Sequence, residues 1–121
     1  MMRLLTNDFV ETGSNENGYY RKWSDGTLEC WQNIDVSVSA DSTSGLHRID
    51  VYNIWKYPVP FVGRNPTVSI ATQSSSDYVY CSVYGILRNK EKVTNITFLR
   101  LTQVQSIFSV GLGLYAIGRW K

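Results

Sequence analysis

The chain has 121 residues, enough for a single domain with a buried core, and a formal net charge of only +2. Apolar residues make up 43% and charged residues 18%, which excludes an intrinsically disordered chain. The tightest basic group, Arg88, Lys90 and Lys92, is interrupted by Asn89 and Glu91, so the stripe of positive charge that nucleic-acid binding requires is not expected.

Period-two alternation recurs along the chain and no long stretch has helical periodicity, so strands are expected throughout. Residues 1–17 read as a lead-in: Met1 to Phe9 has one Arg and no apolar core of a secretory signal, and Gly13, Ser14, Asn15 and Asn17 follow. Without a signal, export is expected by lysis or as part of a particle. Residues 18–121 read as the domain proper. Gly18 to Trp23 and Thr27 to Trp31 flank Ser24-Asp25-Gly26, and Asp-Gly between strand-forming flanks predicts a hairpin because Gly accepts the positive φ of such turns.

Ile34, Val36 and Val38 alternate with Asp35, Ser37 and Ser39 as a half-buried strand, and a Ser-rich loop follows from Ala40 to Gly45. Ile49, Val51, Asn53 and Trp55 alternate with Asp50, Tyr52 and Ile54. The prolines of Tyr57-Pro58-Val59-Pro60-Phe61 remove ladder donors, which suits a sheet edge or a crossover between sheets. Pro66 opens a strand through Val68 and Ile70, and Gln73 to Asp77 form a polar loop. Next, Val79, Cys81, Val83 and Leu87 are expected on one face, with Tyr78, Tyr80, Ser82 and Tyr84 on the other. The turn from Arg88 to Lys92 leads into Val93 to Thr102. The last strand runs from Ile107 to Trp120, with Phe108, Val110, Leu112, Leu114 and Ala116 on one face and Gly111 and Gly113 opposite. This apolar stretch is too short for a membrane-spanning helix, so insertion is not expected. Eight or so short strands with turns between them predict an all-β fold, an antiparallel β-sandwich or barrel.

Little in the sequence points to catalysis. His47 is the single histidine, Cys30 and Cys81 form no C-x-x-C pair, and no metal-ligand spacing occurs. Gly111-Leu112-Gly113 lacks the third glycine and following helix of a dinucleotide site, so no cofactor is expected. Both cysteines sit among alternating apolar positions and read as buried free thiols, with one bridge between them left open. Glycan cleavage would need two converging carboxylates among Asp25, Glu29, Asp35, Asp50 and Asp77. Asp25 is explained by its turn, and Asp35 and Asp50 fall on polar strand faces. Asn95-Ile96-Thr97 fits a glycosylation acceptor but lies inside a strand. The feature that stands out is the row Tyr78, Tyr80 and Tyr84. It could stack on sugar rings, with Asp77 and Arg88 from the adjoining loops, or pack against a neighbouring subunit, which would bury more area.

The run from Val10 to Leu28, with Gly13-Ser14-Asn15-Glu16-Asn17-Gly18 and Asp25-Gly26-Thr27, resembles a "GSN-x-NG-x-Y-x-K-[FW]-x-DGT" segment of the C-terminal, receptor-binding tip of phage and prophage tail fibres. Trp55 to Phe61 followed by Pro66-Thr67-Val68 resembles that family's aromatic-Pro-x-x-Phe turn before a "P-x-V" strand. Tyr115 to Trp120 resembles its closing "A-I-G-x-W" strand. The layout is also similar, more distantly, to H-type lectins.

The resemblance implies a β-sandwich knob, trimeric at the end of a fibre on a virion, that recognises bacterial surface polysaccharide or a teichoic-acid-like polymer without catalysis. In that family the domain follows a fibrous shaft, whereas here it begins almost at Met1, so the chain reads as either an excised fragment or a free-standing protein. The loops Asp41 to Gly45, Gln73 to Tyr78 and Arg88 to Lys92 are expected to face the receptor, and Gly111, Gly113 and Tyr115 to lie near the subunit contact. Two alternatives accompany this expectation: a trimerisation cap with no ligand, and a glycan depolymerase.

Overall fold

The computed structural model describes residues 8–39, 47–75, 81–100 and 107–121. Its elements are β1 (Phe9–Asn15), β2 (Gly18–Trp23), β3 (Thr27–Ser39), β4 (His47–Lys56), β5 (Thr67–Ser75), β6 (Cys81–Arg88), β7 (Lys92–Arg100) and β8 (Ile107–Arg119). They form a five-stranded sheet in the order β1-β2-β3-β8-β5 and a three-stranded sheet in the order β4-β7-β6. Every strand pair is antiparallel. The expected all-β sandwich is the fold.

Alternation decides which side chains fill the space between the sheets. Leu28 and Cys30 of β3 and Val110, Leu112, Leu114 and Ala116 of β8 come from the larger sheet; Trp55, Val93, Ile96 and Phe98 come from the smaller. Burying such side chains is worth roughly 1.5–3 kcal/mol each, the main force holding the sheets together. Tyr57 and Phe61 enter the same core from the proline segment, which carries the chain from β4 in one sheet to β5 in the other. Trp55, Tyr57 and Phe61 pack edge to face, with centroids 5.1 and 5.0 Å apart. The prolines cost no ladder bonds here, because the backbone of Tyr57 donates to Glu91 and that of Phe61 to Lys90, across in the β6–β7 turn.

The Asp25-Gly26 hairpin forms as expected: Lys22 pairs with Leu28, Gly26 has φ 98°, and the Asp25 carboxylate accepts from the Thr27 backbone at 2.8 Å. Elsewhere the structure departs from the sequence reading. Within the segment read as a lead-in, Phe9–Asn15 is a strand, paired with β2 along the sheet edge. It is exposed along most of its length, so its polar composition carries no core pattern. The two segments expected around Trp31 and Ile34 are one strand of 13 residues.

The alternation expected for β4 and β6 is broken by bulges. In β4 the register shifts between Tyr52 and Trp55, with Asn53 at φ 53°, so Tyr52 and Asn53 face solvent and Ile54 and Trp55 turn inward. In β6 it shifts between Val83 and Gly85. Val83 and Ile86 therefore pack on the core, and Leu87, expected beside Val83, is exposed instead.

Cys30 has no disulfide partner. Its thiol is fully buried, lies 3.8 Å from the Val59 carbonyl, and is pushed up to about 12 by burial. Of Cys81 only the backbone, opening β6, is described.

Candidate functional site

The segments that carry the tail-fibre resemblance meet around the crossover at one end of the sandwich. The Asn15 side chain caps its own turn, accepting from the Asn17 backbone at 2.8 Å, and donates to the Pro58 carbonyl at 3.0 Å. The indole of Trp55 donates to the Asn17 carbonyl at 2.9 Å. At the other end of the crossover, Phe61 lies over Gly118 so closely that an added Cβ would come within 2.7 Å of its ring. Trp120 donates from its backbone to Gly26 and from its indole to the Trp23 carbonyl, at 2.9 and 2.8 Å. These interactions serve the fold: they tie the β1–β2 turn, the crossover, the β2–β3 turn and the end of the chain together.

A different surface has the composition of a binding site. On the outer face of the larger sheet, cross-strand register brings Tyr19, Trp31, Tyr115 and Ser69 into one row over β2, β3, β8 and β5. Tyr19 and Trp31 stack at 6.0 Å and 17°, and Tyr19 remains 52% exposed. The next row holds Arg21, Glu29, Ile117 and Thr67. Glu29 accepts from the Trp23 indole at 2.5 Å and from the Tyr115 hydroxyl at 2.6 Å, so one carboxylate fixes two aromatic side chains. Partial burial and that hydrogen bond to Glu29 push the Tyr115 phenol up to about 12. The Arg21 guanidinium lies 5.5–5.7 Å from the ring centres of Phe9, Trp23 and Trp31, and its buried Nε has no hydrogen-bond partner among the described residues. The ring faces hold its charge in place of an acceptor.

Further along the same face lies a trough. Asn33 pairs with Gly113 and Asp35 with Gly111, and β8 continues the rows to Ala71 and Ser74 of β5. The register of β5 shifts between Thr72 and Ser74, and this bulge turns Gln73 over β8. Its amide nitrogen occupies the space that a Cβ on Gly113 would need, 2.7 Å from that position. Asn33, Asp35, Gln73 and Gly111 surround a cavity of about 380 Å³, within the range of small-molecule sites.

Of the residues expected at the ligand, Asp77, Tyr78 and Tyr80 lie outside the described residues, and Tyr84 is described only as backbone at the β6 bulge. Arg88 ends β6 and donates from Nε to the Pro66 carbonyl at 2.9 Å, a tie between the sheets. Gly111, Gly113 and Tyr115, expected near a subunit contact, all lie on the outer face just described, where Glu29 holds Tyr115 and Gly111 lines the trough.

Of the carboxylates considered for glycan cleavage, Asp35 and Asp50 do not meet within the chain. Asp35 faces out from the larger sheet, while Asp50 faces out from the smaller and accepts from the Thr97 hydroxyl at 2.7 Å. Among the described residues no group of three or more His, Cys, Asp and Glu could hold a metal ion. Asn95 is only 9% exposed inside β7, closed to a glycan tree. Its neighbours across the smaller sheet, Tyr52 and Leu87, are 65% and 62% exposed.

The chain matches no described protein family, no curated protein sequence and no solved structure.

Proposed function

We propose that this domain is a non-catalytic host-recognition module of the phage tail-fibre type, acting as a homotrimer that binds bacterial surface glycan. The observation that carries the reading is the outer face of the larger sheet, where the stacked Tyr19–Trp31 pair adjoins the hydrogen-bonded Glu29 and Tyr115. Flat aromatic faces take the apolar side of a sugar ring, and the polar groups beside them take its hydroxyls. The sandwich and the three motif segments gathered around the crossover accord with the tail-fibre resemblance.

The opposite face of the molecule supports the trimer. There, Tyr52 and Leu87, both exposed, flank Asn95. A sister chain covering this face would bury the two exposed side chains. Three sites on one particle would then turn weak single contacts into avidity.

The test is retention of the purified chain on capsular, lipopolysaccharide, teichoic-acid and peptidoglycan fractions from a panel of bacteria. Retention on a glycan fraction, lost in Trp31→Ala with the fold intact by circular dichroism, is the expected result. A trimer that none of the fractions retains would favour a purely structural cap.

A further inference from the structure

The trough beside the aromatic platform has a chemistry of its own. Its polar walls are two amides, Asn33 and Gln73, and one carboxylate, Asp35; Ile34, Gly111 and Leu112 complete the lining, and among the described residues no cation lines it. Two structural features build it. Gly111 contributes no side chain to it, and the β5 bulge re-aims Gln73 from the sheet edge across Gly113. An amide offers both donors and acceptors, and a carboxylate offers acceptors alone, which together match the hydroxyl groups of a sugar. A phosphate or carboxylate in the trough would instead meet Asp35, with no compensating charge among the described lining residues. Arg21, the nearby cation of the platform, is committed to three aromatic rings.

Platform and trough are contiguous. Trp31, Asn33 and Asp35 are alternate residues of β3 and project from the same face. At the rise of a strand, Trp31 and Asp35 stand roughly 13 Å apart, longer than a single sugar ring. We infer that the trough is a second subsite of the same binding face, and that the face takes an internal stretch of a neutral, linear polysaccharide, excluding anionic polymers of the teichoic-acid kind. The inference rests on the glycan-binding reading and specifies its ligand: one ring stacks on Tyr19 and Trp31 while a later ring of the same chain places its hydroxyls among Asn33, Asp35 and Gln73.

The experiment titrates the native chain, Asp35→Ala, Gln73→Ala and Trp31→Ala with the neutral polysaccharide and the teichoic-acid fraction of the same walls. It then repeats the native titration with the neutral polymer cut to single repeating units. Asp35 and Gln73 are exposed and outside the core, so both variants are expected to fold. The expected result is preference for the neutral polymer, about tenfold weaker binding in each trough variant, and marked weakening with single units. Binding that disappears in Trp31→Ala but is unchanged in Asp35→Ala and Gln73→Ala would overturn the trough and leave the platform standing. Preference for the teichoic-acid fraction would overturn the ligand class, and retention of neither fraction would remove the trough together with the reading beneath it.

Discussion

The side-chain amide of Asn15 donates to the carbonyl of Pro58 at 3.0 Å, joining the β1–β2 turn to the crossover 43 positions later. Pro58 has no N–H to offer, so the link runs through its carbonyl alone. Because Asn15 also caps its own turn, Asn15→Ala removes two interactions at once and is expected to cost about 1 kcal/mol. A lowered urea midpoint with an unchanged slope would register it. Asn15→Asp should restore the turn cap and lose the tie, falling between the two.

Gly118 and Phe61 make a stricter demand. A methyl group on Gly118 would press on the Phe61 ring from 2.7 Å and reach the Pro66 Cα at 3.4 Å. Phe61 is held edge-on by Tyr57 and cannot swing away. Gly118→Ala should therefore destabilise by about 1–3 kcal/mol. The double variant Gly118→Ala/Phe61→Leu should recover part of the loss of Gly118→Ala, read against Phe61→Leu alone. Full additivity of the two changes would mean that the contact is not the cause.

Alkaline pH should weaken the fold. Burial raises the Cys30 thiol from 9.0 to about 12 and moves the Tyr57 phenol upward in the same direction. An acid whose folded value lies above its unfolded value keeps its proton longer in the folded state, so the unfolded chain is favoured once pH exceeds the unfolded value. Stability should be level below about pH 9 and fall steadily up to pH 12. Urea midpoints measured across that window would show the decline, and Cys30→Ala should begin it later, near the ordinary range of tyrosine. In native conditions at pH 8 the Cys30 thiol should react with a disulfide reagent only after unfolding.

The proposed subunit contact is tested by charge. Light scattering on the native chain is expected to give three times the chain mass. Leu87→Glu, on an exposed side chain near the end of edge strand β6 on the smaller sheet's outer face, should yield folded monomers. A variant that stays trimeric would place the contact elsewhere.

Much of the architecture is legible in the residues themselves. Asp25-Gly26 announces its hairpin through φ, Val110 to Ala116 declares its buried face by strict alternation, and two prolines between aromatics mark the crossover. What escapes such reading has physical causes. β1 is a solvated edge strand, so it needs no apolar face. The bulges at Asn53 and Tyr84 shift the phase mid-strand, which moves Leu87 from an expected inward position to the surface.

The face proposed for binding is hidden for another reason. Tyr19, Trp31 and Tyr115 become neighbours through pairing of β2, β3 and β8, and nothing in the local pattern around any one of them signals the other two. Attention to a single strand finds Tyr78, Tyr80 and Tyr84 instead. Gln73, expected to open a polar loop facing the receptor, lies instead within β5, and its aim over Gly113 comes from the bulge, which no local pattern announces.

The ties around the proline crossover use Asn15, Trp55, Phe61, Gly118 and Trp120, whereas the trough walls are Asn33, Asp35 and Gln73. The two sets share no side chain. Exchanging an amide or an acid in the trough leaves the clasp that shuts the sandwich fastened. On the proposed reading, a chain wired in this way can change its host without relearning how to fold.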